Sequence, residues 1–206
     1  MSHLWLEWTK RIQAIAQSGL AFSKDIYDIE RYEELREISV EIMAAHTDLE
    51  IGKIRELFTN EGGYQTPKVD VRGVVFKDGR ILMVKEKADD RWALPGGFCD
   101  IGLSPSENIV KEIKEESGYD VYPARLLALL DKNKHPHPPE AYHYYKKIFI
   151  LCELIGGEAT VSGETSDIDF FAEEQLPELS TNRNTESQIR TLFEFLRNPS
   201  KETIFD

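Results

Sequence analysis

Cysteine is scarce in this sequence. The chain has 206 residues and only two cysteines, Cys99 and Cys152, whose separation fits no metal-binding spacing. Two isolated thiols also make no disulfide framework of the kind that holds small secreted domains together. We therefore expect an intracellular protein, and we interpret Cys99 as a small packing residue although it lies close to the motif described below.

Long apolar runs are absent as well. No segment approaches the roughly 20 apolar residues that a membrane-spanning helix needs. Near the N-terminus, Glu7, Lys10 and Arg11 interrupt the apolar residues before the core of a signal peptide could form. The sequence therefore predicts a soluble cytoplasmic protein with no membrane partner.

Positive charge is in deficit. The chain carries 25 basic and 37 acidic residues, which gives a net charge of -12. Bulk charge of this sign repels polyanions, so we expect no DNA partner. Hydrophobic residues make up 41% of the chain, which is enough for at least one sizeable core.

The first sixty residues carry helical spacing and no strand alternation. Apolar residues recur there at intervals of three and four, and turn residues around Gly62 and Gly63 end the pattern. We predict helices near residues 4–16, 24–46 and 49–58. The predicted domains are a small all-α region, residues 1–63, and a second domain, residues 64–206.

Strand signals begin after Pro67. Two β-branched runs, Val69–Phe76 and Ile81–Val84, flank an Asp78-Gly79 pair, which is typical of a β-hairpin. Further patterns predict a short extended segment at 92–94, strands at 124–130, 144–154 and 169–172, and a last helix at 186–196. Strands with a few interspersed helices favour an α+β fold with a mixed sheet.

One helix has clear start and stop signals. Ser104 is a suitable N-cap, Pro105 stands at the first helical position, and Glu107 completes a capping box. Gly118 suits the left-handed residue that follows a helix. The helix is therefore predicted to begin at Pro105 and to end just before Gly118.

Three carboxylates fall near the end of this helix. At about 100° per residue, Glu112, Glu115 and Glu116 share one stripe, and we identify no balancing base in it. Their mutual repulsion and the helix C-terminus both disfavour this arrangement. A glycine turn, Pro95–Gly97, precedes the helix and offers a backbone carbonyl. Such oxygen ligands suit Mg²⁺ or Mn²⁺.

These residues resemble the Nudix box. The family pattern is Gly, five residues, Glu, seven residues, Arg-Glu, an apolar residue, any residue, Glu-Glu, any residue, Gly and an apolar residue. The matching positions here are Gly97, Glu112, Ile113, Glu115, Glu116, Gly118 and Tyr119. Leu103 stands in place of the first glutamate, and Lys111 in place of the arginine.

The resemblance implies a fold and an activity. We expect an α/β/α sandwich that hydrolyses the pyrophosphate bond of a nucleoside diphosphate linked to another group. It implies Glu112, Glu115, Glu116 and the Gly97 carbonyl as ligands of Mg²⁺ or Mn²⁺. In the family, the first glutamate and the arginine support the metal-binding acids, so Leu103 and Lys111 imply a rearranged support with retained activity.

The resemblance leaves the general base open. Glu116 is one candidate, while Glu164 and Asp167 lie in the loop segment GETSDIDFF just before a strand. An acid in a comparable loop serves as the base in ADP-ribose hydrolases of this family. Glu112 is expected to act with the base at the catalytic centre.

Substrate recognition is assigned to the segment 134–147. It combines aromatic residues, histidines and lysines that could stack on a base or meet phosphate. A zinc site fits poorly, because the histidines alternate with prolines and no cysteine pair is near. The candidate substrate-binding residues are His135, His137, Tyr142, His143, Tyr145 and Lys147.

The helical N-terminal region points to a subgroup. Together with the HPHPP sequence at 135–139 it resembles bacterial enzymes of the ADP-ribose and CDP-choline pyrophosphatase type. Members of this type are usually homodimers, so a homodimer is expected. Two other functions remain open, namely a catalytically weak Nudix-like module that senses nucleotides and a metal-dependent RNA hydrolase.

Overall fold

The structure, a computed structural model, describes residues 4–59, 63–135 and 145–206. Contacts within the chain separate a helical unit, Met1–Pro67, from a sheet-containing unit, Lys68–Asp206. The predicted boundary, between residues 63 and 64, falls four positions earlier. In the described part of the chain, no helix is long and apolar enough to cross a membrane.

The first unit consists of the three helices that the spacing predicts. They are α1 (Leu4–Phe22), α2 (Ile26–His46) and α3 (Ile51–Thr59). Asp25 caps α2, because its side chain accepts hydrogen bonds from the N–H groups of Tyr27 and Asp28. The α1 helix buries polar residues such as Gln13 and Gln17, whereas its most exposed apolar residues are Leu4, Trp8, Ile15 and Phe22.

The second unit is a mixed sheet with helices, which confirms the α+β class. Its strands are β1 (Lys68–Lys77), β2 (Arg80–Glu86), β3 (Arg91–Ala93), β4 (Tyr119–Asp131), β5 (Tyr145–Gly157), β6 (Thr165–Phe171) and β7 (Ile204–Phe205). The strand order is β3-β2-β1-β5-β4-β7, and β6 pairs with β2. β1 and β5 run parallel, as do β4 and β7, while the other pairs are antiparallel.

The hairpin between β1 and β2 forms at the predicted turn. Asp78 and Gly79 both have positive φ, 51° and 74°, as a tight two-residue hairpin turn requires. The two strands pair only next to this turn, and farther along, the segment 95–99 lies beside β1 instead. Val71 N–H donates to the Gly97 carbonyl over 2.8 Å, so the glycine turn is fixed to the sheet.

Two helices cover opposite faces of the sheet. They are α4 (Pro105–Ser117) and α5 (Glu186–Arg197). Val71 and Val75 of β1 pack in the core with α4, whereas Val74 packs in the core with α5, because successive side chains of a strand point to opposite faces. The α/β/α layering therefore agrees with the prediction. The half-buried Cys99 packs against the α4-side core, and its burial raises the pKa of the thiol.

Candidate active site

The α4 helix begins and ends where the sequence predicts. Ser104 Oγ accepts the Glu107 N–H at 3.2 Å, and the Glu107 carboxylate accepts the Ser104 N–H at 2.8 Å, which completes the capping box. Gly118 has φ 78° and its N–H donates to the Lys114 carbonyl. A Cβ at Gly118 would lie 2.4 Å from the Glu158 carbonyl oxygen, so both conformation and space require glycine.

A cleft of about 760 Å³ lies beside α4. Its wall combines carboxylates, cations, aromatic rings and a glycine pair. The lining residues are Asp70, Arg72, Glu86, Gly96, Gly97, Phe98, Lys111, Glu112, Glu115, Glu116, Tyr145, Ser162, Gly163, Glu164, Asn182 and Arg183. All three glutamates that the motif singles out face this one space.

The three glutamates occupy different environments. Glu116 is only 6% exposed, and its Oε2 accepts the Gly96 N–H at 2.8 Å. Glu112 lies against the glycine turn, since a Cβ placed on Gly97 would be 3.4 Å from Glu112 Oε2. Glu115 is largely exposed at the rim. The acids thus form a row from the interior of the cleft to its edge.

Burial shifts the pKa of two of these acids upwards. Desolvation raises the pKa of Glu116 to about 8, although the Gly96 N–H and the charge of Arg72 oppose the shift. Desolvation also raises the pKa of Glu112, and the nearby Glu115 adds to it. A bound cation would favour the charged form of both carboxylates.

The donor set fits a hard divalent cation. Glu112, Glu115 and Glu116 offer carboxylate oxygens in one cleft, as Mg²⁺ and Mn²⁺ prefer, and the described residues that line it include no imidazole or thiol that would favour zinc. In the part of the chain that the structure describes, no three acidic, histidine or cysteine side chains already converge on one point.

One inference about the acidic stripe is wrong. Lys111 balances it, because its Nζ lies 3.5 Å from Glu115 Oε2 and donates to Asp100 Oδ2 at 2.8 Å. Leu103, at the family's glutamate position, is 40% exposed. The carboxylate partner of residue 111 therefore comes from Asp100, which lies three positions before Leu103.

Sequence reasoning missed a buried charged cluster on β1. Arg72 donates to both carboxylate oxygens of Asp70, at 2.8 and 3.2 Å, and to the Leu94 carbonyl at 3.2 Å. Arg72 and Asp70 are 6% and 3% exposed. The detectable signal is the alternation of charge inside an apolar strand, VDVRGVV, because unpaired charges are rarely buried.

A second missed segment lies between β6 and α5. Arg183 Nε lies 2.8 Å from Glu86 Oε1, and both residues line the cleft. The neighbouring Asn184 accepts the Leu94 N–H at 2.9 Å, just before the glycine turn. The sequence gives no periodic or motif signal for this segment, because only the folded chain brings it to the site.

The predicted catalytic residues divide into two groups. Glu112, Glu116 and Glu164 line the cleft, together with Gly97 and Glu115, which were predicted as metal ligands. Asp167 is exposed on β6, where it is the Cα partner of Lys85, and it is not among the lining residues.

The predicted substrate-binding residues also differ in position. Tyr145 lines the cleft, whereas Lys147 is 1% exposed and contacts Asp70 and the Arg183 carbonyl. His135 lies outside the lining and forms a 3.0 Å contact with Asp206. The other three, His137, Tyr142 and His143, are outside the described residues.

Family profiles match both units. The profile described as "NUDIX domain" matches residues 66–193, and that described as "UDP-X-like, N-terminal oligomerisation domain" matches residues 3–58. Among individual proteins, "Putative ADP-ribose pyrophosphatase YjhB" of Bacillus subtilis (strain 168) is 60% identical over 98% of this chain and 97% of its own.

Two crystal structures are similar as well. A UDP-X diphosphatase is 37% identical with a TM-score of 0.64, and the match covers 98% of each chain. An ADP-ribose pyrophosphatase from Streptococcus suis 89-1591 is 43% identical with a TM-score of 0.63, over 68% of this chain and all of the other. The box, the capped helix and the carboxylate-lined cleft thus agree with the profile over most of the chain, which belongs to the Nudix hydrolase family.

Proposed function

We propose that this chain hydrolyses the pyrophosphate bond of a nucleoside diphosphate linked to a second group. The products would be a nucleoside monophosphate and a phosphorylated partner. The observation that carries the proposal is the common cleft, in which Glu112, Glu115 and Glu116 line one wall beside Gly96 and Gly97. The activities for which the similar proteins are named, ADP-ribose pyrophosphatase and UDP-X diphosphatase, support the same class of reaction.

The glutamates would hold the divalent metal, Mg²⁺ or Mn²⁺. When bound, this cation supplies the positive charge that a diphosphate needs and lowers the pKa of an attacking water. The chain's own cations complement it, since Arg72, Arg183 and Lys111 also line the cleft. Their charge would hold the phosphate oxygens in place while the leaving phosphate gains negative charge.

Glu164 is the general base that the geometry favours. It lines the same cleft as the acids of α4, on the loop before β6. The backbone of this loop is fixed, because the Glu164 carbonyl accepts the Lys87 N–H at 2.9 Å and Thr165 Oγ1 donates to the Glu116 carbonyl at 2.8 Å. Glu116 and Asp167 stay as the other candidates.

The leading substrates are ADP-ribose and CDP-choline. Two similar proteins that are named ADP-ribose pyrophosphatases support ADP-ribose. The resemblance of the helical N-terminal region to enzymes of the ADP-ribose and CDP-choline pyrophosphatase type supports CDP-choline. The similar UDP-X diphosphatase adds UDP-linked compounds to the series that a screen should contain.

The functional form is proposed to be a homodimer formed through the N-terminal unit. Trp8, Ile15 and Phe22 follow one another at intervals of seven, and Leu4 precedes Trp8 by four, so they form one stripe on α1. Each of the four is more than half exposed in the single chain. A second copy of the stripe would bury them, which agrees with the oligomerisation profile matched by this region.

A product screen tests the activity. The purified chain is incubated with Mg²⁺ or Mn²⁺ and with ADP-ribose, CDP-choline, UDP-linked sugars, NADH and short RNA, and the products are separated by chromatography. We expect a nucleoside monophosphate from at least one diphosphate-linked compound and none after chelation of the metal. Binding without products would favour the nucleotide-sensing module, and cleavage of RNA alone would favour the RNA hydrolase.

A further inference from the structure

We propose that Phe98 is the platform on which the substrate's nucleobase stacks, and that Tyr145 forms the adjoining wall of this subsite. The inference rests on the proposed function, because it names where one end of a nucleoside diphosphate-linked substrate binds. It adds a residue, Phe98, that the motif itself leaves unspecified.

The backbone holds Phe98 in a fixed place. Phe98 forms an antiparallel bridge with Asp70, and the next residue donates its N–H to the Val69 carbonyl at 2.8 Å. Directly opposed residues of an antiparallel pair point to the same face of a sheet, so Phe98 lies on the face of Asp70. The ring is therefore positioned before any ligand arrives.

Tyr145 stands on the same face, one strand farther along. It is the register partner of Lys68, which precedes Asp70 by two residues on β1. The rings of Phe98 and Tyr145 lie 5.7 Å apart between centroids at an interplanar angle of 87°. This edge-to-face contact leaves Tyr145 8% exposed but Phe98 51% exposed. Phe98 and Tyr145 both line the cleft.

The positions of the cleft residues give it two chemically different ends. At one end the carboxylates of α4 approach Gly97 from the α4 face, and at the other end the two rings lie on the opposite face. Gly96 and Gly97 line the same cleft and carry no side chain. A Cβ on Gly96 would lie 2.0 Å from the Val71 carbonyl oxygen, so the turn that runs beside β1 requires glycine at this position.

A nucleoside diphosphate-linked substrate also has two chemically different parts. Its phosphates need cations, which the carboxylate end would recruit, and its base offers a flat π-face that needs an apolar partner. Lysine ammonium groups near the rings add to the match, since Lys68 Nζ lies 5.9 Å from the Phe98 centroid and Lys132 Nζ lies 4.8 Å from that of Tyr145. Positive charge beside an aromatic platform suits an anionic nucleotide.

Phe98 differs from its exposed apolar neighbours. Ile101 and Leu103 belong to the same loop and are 105% and 40% exposed, but neither lines the cleft. An isolated exposed apolar residue needs no functional explanation, whereas an aromatic ring inside a polar cleft does. Ile101 therefore provides a matched control.

Equilibrium binding tests the subsite without turnover. Calorimetry with Mg²⁺ present compares AMP, CMP and UMP with ribose 5-phosphate, which has the sugar and phosphate but no base. The proteins are the wild type, Phe98→Ala, Phe98→Leu, Phe98→Trp and Ile101→Ala. Because these probes are products or product fragments, the measurement is valid even if the proposed hydrolysis fails.

Loss of stacking should be selective for the base. We expect Phe98→Ala and Phe98→Leu to weaken the binding of nucleoside monophosphates by roughly 5- to 150-fold. The affinity for ribose 5-phosphate should not change. Phe98→Trp should keep or improve the affinity, and Ile101→Ala should leave it unchanged. Three results would each overturn the inference. They are an equal loss of affinity for ribose 5-phosphate in Phe98→Ala, an unchanged affinity for nucleoside monophosphates in that variant, and no binding of any nucleoside monophosphate to the wild type.

Discussion

Lys111 Nζ donates to Asp100 Oδ2 over 2.8 Å and lies 3.5 Å from Glu115 Oε2. The pair joins the loop before α4 to the rim of the acidic row. In the family pattern a glutamate at the position of Leu103 supplies the supporting carboxylate, and leucine has no carboxylate. The two departures from the box are therefore linked. Asp100, three residues before Leu103, supplies the carboxylate that pairs with Lys111, the lysine in place of the family's arginine.

The first prediction concerns this pair. Asp100→Asn and Lys111→Ala should each lower kcat/KM by about two- to fivefold, because an exposed ion pair is weak and Lys111 is one of several cations that line the cleft. The double reversal Asp100→Lys with Lys111→Asp should recover part of the loss. Steady-state kinetics with a hydrolysed diphosphate substrate provides the measurement.

A second ion pair that includes a lysine of α4 serves as the matched control. Lys114 Nζ lies 2.8 Å from Asp120 Oδ1 with similar exposure, and neither residue lines the active-site cleft. Lys114→Ala should leave kcat/KM within about twofold of the wild type. A loss equal to that of Lys111→Ala would mean that charge on α4, not the link to Asp100, is what matters.

The second prediction concerns the most buried acid. Glu116→Gln should lower kcat by roughly 100-fold or more, because the amide removes the anionic oxygen that would hold the cation. The fold should persist, since the glutamine oxygen can still accept the Gly96 N–H. Thermal unfolding checks stability alongside kcat. The exposed Glu153→Gln on β5 is the control, and full activity in Glu116→Gln would refute the metal assignment.

The fold and the α4 helix were readable from the sequence because their signals are local. The capping box at Ser104 and the turn at Asp78 depend on neighbours a few residues away. Strand ends were less accurate. The strand predicted at 124–130 begins five residues earlier, at Tyr119, and β7 was missed, since pairing with distant partners decides these limits.

The candidate site could be predicted only in part, because many of its contacts join residues that are distant in the chain. Spacing along one helix identified Glu112, Glu115 and Glu116. The contact of Arg183 with Glu86 joins residues far apart in the chain, so no local sequence pattern predicts it. Lys147 was interpreted as a substrate contact from its neighbours in sequence, but strand alternation buries it beside Asp70.

The third prediction separates the two loop candidates for the general base. Glu164→Gln should lower kcat by roughly 100- to 10,000-fold, the range for loss of a general base. Asp167→Asn should stay near the wild type, because Asp167 does not line the cleft. The reverse ranking of the two variants would assign the base to Asp167. Similar activity in both would leave Glu116 as the candidate.

The fourth prediction concerns stability and pH. Burial lowers the pKa of Lys147 to about 7, against the raising effect of Asp70. Between pH 7 and about 10 the unfolded chain would hold a proton on this lysine that the folded chain has lost. The free energy of unfolding should therefore rise with pH across this window, relative to Lys147→Met, by roughly 1 kcal/mol per pH unit.

Urea unfolding at several pH values measures this difference. The two proteins should run parallel below pH 7, where the lysine is charged in both states, and diverge above it. Lys146→Met is the control, because Lys146 is partly exposed and pairs with Asp131 at the surface. A constant difference between wild type and Lys147→Met from pH 6 to 10 would show that the buried ammonium keeps its proton.

The fifth prediction concerns the stripe on α1. Ile15→Glu places a charge among Trp8 and Phe22, so it should disfavour any interface that buries the stripe and yield monomers. The matched control is Ile155→Glu, because Ile155 is exposed to a similar degree, 68% against 58%, but lies on β5 of the sheet-containing unit. Sedimentation velocity should find a dimer for the wild type and for Ile155→Glu, and a monomer for Ile15→Glu. If Ile15→Glu stays dimeric while Ile155→Glu does not, the interface lies on the sheet-containing unit instead.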